Sequence, residues 1–112
     1  MSRRQALRLR DIREAIATIR NHIAAGDFDR KTSDAVLYNL VVIGEAAAQI
    51  SDETRARAAA IPWTKIVGLR NLIAHEYFRI DLDVIQAIVD EQLAELDAAA
   101  ARILEDDATQ AQ

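Results

Sequence analysis

Cysteine is absent from this 112-residue chain. No disulfide frame, thiolate metal site or cysteine nucleophile is therefore open to it, and a reducing, cytoplasmic setting is the expectation. No apolar run approaches the roughly 18 to 20 residues that a membrane span needs, and the Arg-rich start is not followed by the apolar core of a secretion signal. Neither membrane nor export is expected. One proline and three glycines leave little turn chemistry for strands, whereas 22 alanines favour helix. The expected fold class is all-α, and the length suits one domain with no room for a second.

Several chemistries fail on similar grounds. The two histidines, His22 and His75, belong to no H-E-x-x-H or E-x-x-H arrangement, so a bundle-core zinc or di-iron ligand set is missing. Gly26, Gly44 and Gly68 are isolated and cannot form a phosphate-cradling loop. Ser2, Ser33 and Ser51 lack a nucleophile-elbow context. No metal and no cofactor is expected.

Charge is present but unevenly placed. Residues 1–80 hold 13 Lys and Arg against 9 Asp and Glu, whereas residues 81–112 hold one Arg against 9 acids. The net charge of -4 thus hides a basic part and an acidic end, the latter read as solvated surface or as a patch facing a partner. Arg supplies 12 of the 14 basic residues, which suits phosphate recognition but follows equally from a coding bias toward Arg and Ala.

Apolar periodicity sets out four main helices. Leu9, Ile12, Ile16, Ile19 and Ile23 form a single stripe between Arg3 and Ala25. Ser33 and Asp34 are expected to cap a second helix that runs to about Ser51 and is apolar over most of its surface, which places it mid-bundle. Its exception is a polar strip of Tyr38, Glu45 and Gln49, beside which Gly44 would let another backbone come close. Asp52 to Ala60 reads as a short polar helix with Arg55 and Arg57 exposed, and Pro62 to Ala74 as the next main helix. Asp81 and Asp83 favour the start of a long last helix with the stripe Leu82, Ile85, Val89, Leu93, Leu96, Ala100 and Ile103. The expectation is an up-and-down bundle over residues 1–104, followed by a disordered polar tail over 105–112. Val67, Leu69, Val84 and Ile88 lie off the narrow stripes and serve either a wider core or a dimer interface.

One segment stands apart. Between Gly68 and Phe78 the chain gathers a permanent cation, Arg70, a carboxamide, Asn71, an imidazole, His75, and a phenol, Tyr77. His75 can give and take protons near neutral pH, and Arg70 can neutralise a phosphate through two hydrogen bonds, which suffices in type for metal-independent RNA cleavage. On a regular helix Asn71 and His75 lie about 40° apart but Arg70 and His75 about 140° apart. The length of the arginine can recover part of this, a helix that unwinds at Ala74 can recover more, or a symmetric dimer brings two copies of the segment to one cleft. A second reading stays open, in which Arg70 and His75 merely complement a helix C-terminus.

Arg70, His75 and Tyr77 spell R-x4-H-x-Y, with Ile61-Pro62-Trp63 before it, Ile80-Asp81-Leu82-Asp83 after it, and Leu40-Val41-Val42-Ile43-Gly44-Glu45-Ala46 in the second helix. Over nearly the whole chain this resembles the HepT-like branch of the HEPN superfamily. The resemblance implies a homodimeric helical bundle with the Arg-x4-His pairs meeting at the interface, and a metal-independent endoribonuclease acting as the toxin of a type VII toxin-antitoxin module. It also implies a partner, an MntA-type nucleotidyltransferase antitoxin that transfers AMP to the tyrosine matching Tyr77, in a hetero-complex that can exceed one copy of each. Arg70 and His75 would then be catalytic, with Asn71 and Glu45 in support. The competing reading is a non-catalytic helical adaptor of the nucleotidyltransferase.

Overall fold

The stripe spacing of the first helix becomes burial: Leu9, Ile12, Ile16 and Ile19 lose all exposure along α1 (Arg3–Ala24), which Ser2 caps by accepting from the Gln5 amide. The computed structural model describes residues 1–110. After α1 come α2 (Arg30–Ala48), α3 (Asp52–Ala56), α4 (Trp63–Glu76), a 3-10 turn (Tyr77–Arg79), α5 (Leu82–Ala87), a π turn (Ile88–Gln92) and α6 (Leu93–Gln110). The fold is all-α, with no strand among the described residues. α1 packs on α2 and on α6, and α2 packs on α4. In α2, Val36, Leu40 and Ile43 are fully buried, as expected of a helix with neighbours on opposite sides. Each such side chain contributes about 1.5 to 3 kcal/mol relative to exposure.

Gly44 sets the distance between α2 and α4. A Cβ there would lie 3.2 Å from the Arg70 amide nitrogen, 3.2 Å from the Ile66 carbonyl oxygen and 3.4 Å from that of Val67. All three are backbone atoms, which cannot swing away as a side-chain tip can. The missing methyl therefore lets α4 lie directly against α2 at the residue that begins the R-x4-H motif.

The last helix begins as expected, with Asp81 accepting from the Asp83 amide at 2.8 Å. α5, the π turn and α6 then follow without leaving helical backbone, since Ile88 and Leu93 at the junctions both keep right-handed helical angles. Sequence gave no warning of the π turn, yet its purpose is readable in the stripe. Ile85 and Leu93 are eight residues apart, about 80° out of phase on a regular helix. Both are nevertheless buried to 1% exposure, because the wider i→i+5 winding absorbs the surplus residue.

Three expectations need correction. α2 starts at Arg30, not after Ser33 and Asp34: its cap is Asp29, whose carboxylate accepts from the Thr32 amide at 2.8 Å and is held below its ordinary pKa by that bond. Ser33 is buried within the first turns and Asp34 is released for another contact. The polar end is helical through Gln110, not disordered over 105–110; residues 111–112 of the expected tail lie outside the described residues. Asp107 explains part of that order, since Arg57 meets it at 2.7 Å and lowers the pKa of its carboxyl. Arg55 and Arg57 accordingly form no free basic face, because Arg55 donates to the Ala47 carbonyl at the end of α2. Of the residues off the narrow stripes, Leu69 belongs to the core while Val84 is half exposed.

The acidic end also answers the basic start. Asp97 on α6 accepts from Arg13 at 3.0 Å and from Arg20 at 3.3 Å, both on α1. Exposed pairs of this kind add little stability each, but they fix the register of α6 against α1.

Candidate active site

α4 has two faces, and the motif residues divide between them. Ile66, Arg70, Ile73 and Tyr77 follow one another at steps of four, three and four, the spacing of one helical stripe, and Gly44 of α2 lies against the backbone of its first half. His75 stands about 200° from Ile73 and about 180° from Ile66, so it points away from α2. Asn71 and Leu72 share that outward side, and both are exposed, as is His75. Gly68 lies on the same side with open space where its Cβ would be.

Arg70 is positioned by α2. Its Nη1 donates to Glu45 Oε1 at 2.9 Å, with both side chains half exposed. The contact uses one nitrogen, and no other hydrogen bond engages the guanidinium among the described residues. A fork of donors is thus oriented by Glu45 and open toward solvent, the arrangement that suits a phosphate. Glu45 belongs to the polar strip read in the sequence, and Tyr38, Glu45 and Gln49 do line one open groove of about 760 Å³ between α1 and α2.

His75 is not brought to Arg70. α4 stays helical through Glu76, so unwinding at Ala74 does not occur, and no hydrogen bond links His75 to Arg70 or Asn71 among the described residues. Asn71 remains on the same side as His75, one turn earlier. Within one chain the cation and the imidazole serve different surfaces.

Tyr77 has a partner that the sequence did not suggest. Its hydroxyl donates to Asp34 Oδ1 at 2.6 Å, and Arg30 approaches the other carboxylate oxygen at 3.8 Å. Reading Asp34 as a helix cap concealed this. A cue was available in Asp29, which sits three residues before Thr32 and satisfies the cap, leaving Asp34 with no such duty. Tyr77 and Asp34 line a cavity of about 320 Å³ together with Phe28, Arg30, Phe78 and Leu82. Phe78 is 92% exposed, and its ring meets that of Tyr77 edge to face at 5.0 Å.

Among the described residues no three His, Cys, Asp or Glu side chains stand together as a metal site would require, and no helix is long and apolar enough to cross a membrane.

Comparison with known proteins supplies independent information. The sequence profile described as ribonuclease HepT-like matches residues 8–103. A protein of Thermococcus cleftensis named "Probable ribonuclease HepT" is 36% identical over 93 residues, which cover 79% of this chain and 84% of that relative. A Methanocaldococcus jannaschii protein named "Putative RNase" is 39% identical over 62 residues, 55% of this chain and 57% of the relative. Another of that name, from Caldanaerobacter subterraneus, is 31% identical over 71 residues, 63% of each chain. In these last two the match thus spans less than two thirds of the relative. No solved structure matches the chain.

Proposed function

The chain belongs to the HepT-like ribonuclease family, and on that premise we propose that it is a metal-independent endoribonuclease whose site forms between two copies, with Arg70 from one and His75 from the other. The observation that carries this reading is the division of α4. Arg70 is tied toward α2 by Glu45 while His75 faces outward, so one chain alone offers a phosphate only half of the pair. The outward side is suited to a second copy: Gly68 leaves space for close approach, and Leu72 is 45% exposed there. A two-fold pairing that sets the outward side of each α4 beside the Arg70 and Glu45 side of the other supplies each Arg70 with a partner His75.

The chemistry needs no further group. The 2′-hydroxyl oxygen attacks the adjoining phosphorus, the bond to the 5′ oxygen breaks, and the products are a 2′,3′-cyclic phosphate and a 5′-hydroxyl. His75 takes the proton of the attacking hydroxyl or gives one to the leaving oxygen, and Arg70 stabilises the charge that builds on the phosphoryl oxygens. Asn71, one turn from His75, supplies a hydrogen bond to the substrate or to the imidazole. Glu45 is the positioning residue of Arg70.

Regulation uses Tyr77. An MntA-type nucleotidyltransferase antitoxin transfers AMP to its hydroxyl: the phenol oxygen attacks the α-phosphorus of ATP and pyrophosphate leaves. The modified tyrosine loses its hydroxyl proton and with it the donor to Asp34, and it carries a phosphodiester into the region that the RNA backbone must enter. RNA phosphates and the attached AMP then compete for the same cations.

The test is RNA digestion by the purified protein with chelator present, before and after incubation with such a nucleotidyltransferase and ATP. We expect cleavage with cyclic-phosphate ends, lost in step with a gain of one AMP on Tyr77. No cleavage at high protein concentration would favour the adaptor reading instead.

A further inference from the structure

Phe78 is the most exposed large apolar side chain of the molecule among the described residues, at 92%, against 44–69% for the others. It is not a loose end. The residue sits in the 3-10 turn that continues α4, three residues after His75, so the two side chains emerge on neighbouring lines of one helical surface. Tyr77 holds the ring edge to face at 5.0 Å and is itself fixed by its 2.6 Å bond to Asp34. A fully exposed aromatic ring, braced from behind, is the platform on which unpaired nucleobases stack.

The surroundings favour RNA over a protein surface. Arg79 follows directly and is exposed, and Arg30, across the cavity, has 78% of its side chain open with only a 3.8 Å approach to Asp34. A stacked base flanked by cations within reach of a neighbouring phosphate is the usual arrangement for single strands.

We propose that Phe78 is a base-stacking subsite for the nucleotide next to the bond being cut, and that it makes the enzyme selective for single-stranded RNA. The subsite rests on the ribonuclease reading. A paired base has both faces covered by its own stack, so only an unpaired one can settle on Phe78. The ring touches substrate but no reacting atom, which makes it a specificity determinant acting on binding.

The experiment measures binding of the intact protein to a short RNA made uncleavable by 2′-O-methyl groups, and cleavage of the unmodified RNA, for wild type, Phe78→Ala, Phe78→Leu and Phe78→Trp. Expected are a loss of affinity of about tenfold or more in the Ala and Leu variants, affinity retained in the Trp variant, and a raised KM with kcat within about twofold. A duplex of the same sequence should bind all four proteins equally. Unchanged affinity in Phe78→Ala overturns the proposal. So does a Phe78→Ala protein that changes oligomeric state by light scattering while Phe78→Leu does not, since that marks Phe78 as a contact between copies. Absence of binding and cleavage in the wild type would remove the ribonuclease reading itself, an outcome distinct from a wild type that works and an alanine variant that works equally well.

Discussion

Alanine in place of His75 is expected to slow RNA cleavage by about 10² to 10⁴-fold, the usual cost of losing a general acid or base. The measurement is the initial rate on a labelled single-stranded RNA with chelator present, followed far enough to resolve the lower value. His75 is exposed and engaged in no hydrogen bond among the described residues, so the same substitution should leave thermal stability nearly untouched. These two readouts separate the roles open to this residue. A histidine that merely complements the end of α4 would show the opposite pattern, with about 0.3 to 1 kcal/mol of stability lost and cleavage kept.

The largest expected structural effect comes from Gly44. Its replacement by valine puts three heavy atoms where even a lone added Cβ would lie 3.2 Å from the backbone at Arg70 and Ile66. α4 must then move off α2, at a cost typical of overpacking, about 1 to 3 kcal/mol or somewhat more. The melting temperature should fall by roughly 10 °C, taking about 4 to 8 °C per kcal/mol for a domain near 100 residues. Gly44→Ala should lose less, because alanine regains about 0.8 to 1 kcal/mol of helix propensity over glycine. Cleavage should fall in both variants beyond what stability explains, since Arg70 is carried on the displaced backbone and loses its reach to Glu45. Equal melting temperatures for wild type and Gly44→Val would show that the two helices do not depend on this contact.

Much of this fold could be read from the order of residues, because helix burial depends on periodicity. The stripe of α1, the central place of α2 and the close approach at Gly44 all follow from which residue types recur at three and four. What escaped needs contacts between distant segments. Asp107 orders the end of α6 through Arg57, fifty residues earlier, and the polar composition of the segment gave no sign of it. Asp29, Ser33 and Asp34 are all good capping types, and the apolar pattern of α2 becomes clear only at Val36, so the start of the helix was placed too late. The same displacement hid the bond between Asp34 and Tyr77.

The candidate site divides in a similar way. Arg70, Asn71, His75 and Tyr77 stand out by type and spacing alone, and Glu45 by being polar on an otherwise apolar helix. Their orientation does not. Only the unbroken helix through Glu76 shows that Arg70 and His75 face different ways, and only the 2.9 Å bond to Glu45 shows toward which side Arg70 is turned. The unequal charge of the chain also acquires a physical meaning, for the acids of α6 in part hold the arginines of α1.

The central claim is that each cleavage site takes its arginine from one copy and its histidine from the other. Mixed dimers test it most directly: Arg70→Ala and His75→Ala chains, carrying different tags, are co-expressed and the mixed species is isolated through both tags. Each parent variant should be inactive alone. The mixed dimer holds one intact Arg70 and His75 pair across its two-fold axis and should recover about half of the wild-type rate per dimer. If arginine and histidine worked within a single chain, the mixed dimer would contain no intact pair, and a rate no higher than that of the two parents would contradict the account.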